Sequence, residues 1–122
     1  METLNFKHKE LTCKCGCGRE IEDEVFMYNL QRLREMLGVP MVLSSAYRCP
    51  EYNDKVSNTG FGGPHTIAAV DVLVYGEHAH RLLWMAMACG FTGIGISQKG
   101  PWAARFIHID RLREGRPWVW TY

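Results

Sequence analysis

The chain has 122 residues, 47% of them hydrophobic and 22% charged. That length suits one ordinary domain and is too short for two, and the balance is that of a folded chain rather than a disordered one. A formal net charge of +1 supplies no field that would condense on nucleic acid or an anionic membrane, so neither is expected as a partner.

No stretch reaches the roughly 18 apolar residues that span a bilayer, and the opening run from Met1 to Glu10 lacks the apolar centre of a signal peptide. The expectation is a single domain over residues 1–122, made in a cytoplasm. From Glu20 to Leu37, the residues Ile21, Val25, Tyr28, Leu30, Leu33, Met36 and Leu37 recur among charged ones at helical spacing, and Gly38 with Pro40 supplies a stop. Met41 to Tyr47 reads as a short strand ended by Arg48-Cys49-Pro50. Residues Glu51 to Pro64 turn to Asn, Asp, Ser, Gly and Thr, the composition of a surface loop of the kind that borders sites.

Ala68 to Tyr75 is apolar and β-branched apart from Asp71, which predicts a buried strand. A helix from Glu77 to Cys89 follows, ended by Gly90, with Trp84, Met85 and Met87 expected in the core. Phe91 to Ser97 reads as a strand, Lys99-Gly100-Pro101 as a turn and Arg105 to Asp110 as a last strand, with Trp118, Trp120 and Tyr122 covering the sheet. The expected fold class is α+β: a small antiparallel sheet flanked by helices.

Five cysteines are an odd number, and with no signal peptide a secreted disulfide framework is disfavoured. Cys13, Cys15 and Cys17 together with Cys49 offer four soft thiolates to a structural zinc. Their one-residue spacing, however, is tighter than the usual C-x₂₋₄-C. Free or partly disulfide-linked cysteines are therefore the expectation.

Asp71 poses the sharpest question, because an unpaired carboxylate among Val70, Val72, Leu73 and Val74 is costly to bury. His65 lies at the end of the glycine-rich loop and His108 inside Phe106-Ile107-His108-Ile109-Asp110. Two imidazoles and a carboxylate from separate elements, with a fourth position left to water, are what a catalytic zinc needs. A buried salt bridge to Asp71, with the histidines as surface or core residues, is the plainer alternative. Alternation along the strands favours the first reading. Ile107 and Ile109 share one face while His108 and Asp110 share the other, and Asp71 likewise opposes Val70 and Val72. His8, His78 and His80 are expected to be exposed.

The segments Gly63-Pro64-His65-Thr66-Ile67-Ala68-Ala69-Val70-Asp71, Ile107-His108-Ile109-Asp110 and Ser44-Ser45-Ala46-Tyr47-Arg48-Cys49-Pro50, followed by Asn53, together resemble the zinc D-Ala-D-Ala carboxypeptidase family of peptidoglycan peptidases. That fold is shared with the hedgehog signalling domain. The resemblance spans Phe6 to Trp118 and is nearest to the short, phage-associated branch. The family pattern runs roughly S-x-H-x-x-G-x-A-x-D and later ends a strand in a histidine often followed by x-D. Here Gly63, Ala68 and Val70 stand in for the pattern's serine, glycine and alanine. Several relatives carry an acid three residues before the last histidine, where this chain has Arg105.

The resemblance implies Zn²⁺ held by His65, Asp71 and His108, polarising a scissile carbonyl and bringing the pKa of water toward about 7. Asp110 is the candidate general base, with orientation of a ligand or pairing to Arg48 as its alternative roles. Arg48 is expected to stabilise an oxyanion or hold a substrate carboxylate, or else to pair with Asp54 or Glu51. Trp118 or Trp102 is a candidate aromatic wall for the peptide, Trp118 being the preferred substrate-binding residue. The implied function is a monomeric zinc peptidase acting on the peptidoglycan stem peptide, either trimming a terminal D-alanine or cutting within the stem. A phage lysis protein made in the host cytoplasm and acting on the wall is the simplest setting. The competing expectation is a catalytically inactive, zinc-containing wall-binding module of the same fold.

Overall fold

The boundaries of the long amphipathic helix are set by its caps. In the computed structural model, which describes residues 1–122, the Asp23 side chain accepts a hydrogen bond from the Phe26 N–H, and Gly38 closes the helix in the left-handed region at φ 74°. This helix, α2 (Glu24–Leu37), follows a short α1 (His8–Leu11). It begins later than hydrophobic spacing predicts, because Glu20 bridges Thr12, and Asp23, in extended conformation, is the cap.

The remaining elements are β1 (Val42–Ser45), α3 (Pro50–Val56), a 3₁₀ turn at Pro64–Thr66, β2 (Ala69–Leu73), α4 (Gly76–Ala88), β3 (Gly93–Ser97), a second 3₁₀ turn at Trp102–Ala104, β4 (Phe106–Asp110) and β5 (Trp118–Thr121). The five strands form one sheet in the order β1-β2-β4-β3-β5, antiparallel except for the β3–β5 pair. The α+β architecture therefore stands as expected.

Two elements depart from the sequence reading. The segment expected to be a loop from Glu51 to Pro64 begins as α3. Pro50 occupies its first turn, and the Cys49 sulfur accepts a hydrogen bond from the Tyr52 N–H. The aromatic carboxy-terminal run does not merely cover the sheet: it adds β5 to its edge.

Alternation divides the sheet into two unlike faces. Val70, Val72, Ile94, Ile107 and Ile109 belong to a 22-residue core shared with Phe26, Leu30, Leu33 and Leu37 of α2 and Leu82 and Ala86 of α4, and the two helices pack against one another. Within α4, Met85 is buried as expected, but Trp84 and Met87 lie on the exposed face. The opposite sheet face carries Asp71, His108 and Asp110, all buried. Register sets Asp71 directly opposite His108, which in turn lies opposite Gly95.

Candidate metal centre

The three predicted ligands meet at one point. His65 comes from the first 3₁₀ turn, Asp71 from β2 and His108 from the central strand β4. All three are buried, and their candidate ligand atoms lie within 4.8 Å of one another. The resembled pattern sets its histidine and aspartate seven residues apart. His65 and Asp71 are six apart, so the chain is shortened there as well as substituted, and the tight turn at Pro64–Thr66 still brings His65 over the sheet.

Hydrogen bonding fixes which nitrogen of each ring faces the centre. His65 Nδ1 lies 2.7 Å from the Ala46 carbonyl oxygen, which can only accept, so Nδ1 carries the proton and Nε2 is left bare. Nε2 lies 3.3 Å from Asp71 Oδ1. His108 Nε2 lies 2.8 Å from Asp110 Oδ2 and Nδ1 lies 3.1 Å from the same Asp71 oxygen, so the tautomer that donates to Asp110 turns the Nδ1 lone pair toward Asp71. Three lone-pair donors thus converge in a buried pocket, an arrangement that repels itself unless a cation or a proton lies among them.

The titration behaviour follows from this geometry. Burial penalises the Asp71 carboxylate, yet the imidazoles of His108 and His65 outweigh that penalty and hold its carboxyl well below the ordinary range. For His108, burial disfavours a charged ring, and Asp110 and Asp71 on its two nitrogens overcome this and raise its pKa. The chemistry of the set fits zinc: two imidazoles and a carboxylate, each ring having its second nitrogen directed outward to a fixed acceptor.

Asp110 lies on the far side of the His108 ring from Asp71. It is 0% exposed. Arg116 grips it with two hydrogen bonds, Nε to Oδ1 at 2.9 Å and Nη2 to Oδ2 at 2.8 Å, and the Leu112 N–H adds a third. Burial raises the cost of its charge, but His108 and Arg116 bring its pKa down to about 2. Arg116, not Arg48, is its partner, a pairing across the turn after β4 that the sequence reading missed.

The centre forms the floor of a cleft of about 690 Å³ whose walls include Arg48, Asn53, Phe106, Trp120 and Tyr122. Arg48 has no carboxylate partner: it donates to Asn53 Oδ1 at 2.9 Å and Ser45 Oγ at 3.3 Å, while Glu51 pairs with Arg19. Asn53, 1% exposed, also donates through Nδ2 to Thr59 Oγ1 and to the Gly60 and Gly62 carbonyls. One buried amide thus holds both the arginine and the glycine-rich loop. Trp118 lies outside the cleft and lines a separate shallow pocket with Met87, Phe91 and Pro117, and Trp102 stacks under Arg105. The aromatic wall is Trp120, whose ring centroid is 4.9 Å from that of His108, together with Tyr122.

Against known families, the model of peptidase M15 matches residues 4–110. The chain belongs to the peptidase M15 family. No curated protein and no solved structure matches it. The family match contains His65, Asp71, His108 and Asp110 and stops before Arg116, Trp120 and Tyr122, so part of this M15 peptidase's cleft is built from residues beyond the matched region.

Proposed function

We propose that this M15 chain is a zinc-dependent peptidase that cleaves the stem peptide of bacterial peptidoglycan, either removing a terminal D-alanine or cutting within the stem. The observation that carries the reading is the convergence of His65 Nε2, Asp71 Oδ1 and His108 Nδ1 at the floor of a cleft that also holds an arginine without a carboxylate partner. His65, Asp71 and His108 would hold the ion. Its contribution, when bound, is Lewis-acid activation of water and of the scissile carbonyl.

The chain's own residues supply positioning and charge. Ala46 accepts from His65 Nδ1, and Asp110 is placed to accept from His108 Nε2, the tautomers that would turn the other nitrogen of each ring inward to the ion. Arg48 offers a guanidinium to a substrate carboxylate or a developing oxyanion. Trp120 and Tyr122 give the peptide an apolar wall. We assign Asp110 to orienting His108, since its oxygens are committed to Arg116 and the ring. The stem peptide as substrate rests on the family resemblance and on a cleft that pairs a cation with aromatic side chains. No helix is long and apolar enough to cross a membrane, and action on the wall is part of the proposal.

One observation favours the binding-module reading. Asp71 is the only carboxylate lining the cleft, so no acid there is free to take a proton. Digestion of purified peptidoglycan by the zinc-loaded chain, followed by mass spectrometry of the fragments, separates the two. Peptidase action predicts new stem fragments that vanish with a chelator and return with zinc. Retention of the chain on the wall without any new fragment would establish the binding module instead.

A further inference from the structure

Four of the five cysteines form a second cluster, which includes the neighbour of Arg48 in the chain. Thr12 bridges Glu20, the Cys13 N–H donates to the Arg19 carbonyl at 2.8 Å, and the Gly16 N–H donates to the Cys13 carbonyl at 3.3 Å. This closes a hairpin whose tip carries Cys13, Cys15 and Cys17. Gly16 and Gly18 sit at φ 89° and 83°, a region that residues with a Cβ rarely adopt. Those two left-handed residues curl the backbone, so cysteines only one residue apart converge on one point.

Cys49, immediately after Arg48, completes the group. The four sulfur atoms lie within 4.8 Å of one another and all are free thiols. Cys15 Sγ and Cys49 Sγ are 3.6 Å apart. That is far from the roughly 2.05 Å of a disulfide and close to the edge of about 3.8 Å that four sulfurs form around a zinc at about 2.3 Å. Backbone donors already point at the sulfurs: the Cys49 N–H to Cys13 Sγ at 3.3 Å and the Tyr52 N–H to Cys49 Sγ at 3.4 Å. Such bonds support thiolate charge in a metal site.

We propose that Cys13, Cys15, Cys17 and Cys49 bind a zinc ion of their own, as a closed tetrathiolate centre distinct from the His65–Asp71–His108 site. Four protein ligands leave no open position, so its role is structural. What it fixes is the strand-to-helix segment beside the cleft. Ala46, three residues before Cys49, accepts the hydrogen bond that orients His65, and the Arg48 N–H donates to the His65 carbonyl at 2.9 Å. The second ion would therefore staple the amino-terminal hairpin to the wall that carries Arg48 and holds His65 in place.

Cobalt replacement in the full chain, prepared under reducing conditions, tests the proposal. The expected spectrum has an intense sulfur-to-cobalt charge-transfer band and the d–d bands of a tetrahedral thiolate site. It should persist in His65→Ala and His108→Ala, whose cleft site is disabled, and disappear in a Cys15→Ser, Cys17→Ser double variant that keeps its cleft metal. Zinc analysis of the unmodified chain should find one ion more than the cleft accounts for. Absence of the charge-transfer band in the reduced, cobalt-loaded unmodified chain would overturn the proposal, even if the serine variant failed to fold. So would disulfides among these cysteines that persist in the chain as isolated from a reducing cytoplasm. Neither outcome depends on peptidase activity.

Discussion

A carboxylate that accepts two hydrogen bonds from a guanidinium, one from an imidazole and one from a backbone amide has little capacity left for a reacting proton, and Asp110 is so placed. Asp110→Asn puts an amide where that carboxylate meets both His108 and Arg116. If its NH₂ faces the ring, the proton of His108 moves to Nδ1 and occupies the metal-facing nitrogen; if its oxygen faces the ring, the NH₂ meets the guanidinium. Zinc affinity of the cleft should fall roughly 10–100-fold, as losses of ligand-orienting groups do, with most turnover recovered at saturating zinc. Unchanged affinity with a loss of about 10²–10⁴ in turnover would instead mark Asp110 as the general base. Arg48 is a different case, because its guanidinium is held by neutral groups and leaves the metal ligands alone. Arg48→Ala should keep the cleft metal and lower cleavage about 10²–10³-fold, the usual loss of an oxyanion donor. Elemental analysis and a cleavage assay on one preparation check both variants.

At the scale of elements, β2 and β4 present Asp71 and His108 side by side, and β3 makes room for what surrounds them. A Cβ on Gly95 would lie 2.6 Å from the Trp120 ring, and one on Gly93 would collide with Asp110 and Arg116. Gly95→Ala should therefore displace Trp120 from the cleft wall and cost about 1–3 kcal/mol, as overpacking does, measured by denaturant unfolding. An unchanged midpoint would mean that the indole has somewhere else to go. These strands were legible in the sequence, because period-two alternation puts His108 and Asp110 opposite Ile107 and Ile109 whatever else the fold does. Other elements were not. The Asn- and Asp-rich run after Pro50 looks like loop, and its helix rests on a cysteine cap and on the tertiary burial of Asn53. Strand β5 pairs in parallel with β3 although β4 separates the two in the chain, and nothing local to Trp118–Thr121 specifies that partner. The Asp110–Arg116 pair depends on the shape of the turn between them, which spacing does not encode.

For the whole molecule, the sheet separates two environments built from the same strands. One face is closed by α2 and α4 over a continuous apolar core, and that rigid support holds Asp71 and His108 beside one another although 37 positions separate them in the chain. The other face opens as the cleft, bounded by the glycine-rich loop that Asn53 ties down and by the aromatic end of β5. The family resemblance, Asp71 in an apolar strand and the two histidines made the meeting of His65, Asp71 and His108 readable from sequence, while Arg116, Trp120 and the converging thiols needed the fold. An anomalous difference map collected at the zinc edge, from crystals of the unmodified chain grown with zinc, tests the central claim most directly. A peak enclosed by His65 Nε2, the Asp71 carboxylate and His108 Nδ1 is the predicted result. No peak at that position, with Asp71 simply bridging two histidines, would contradict it.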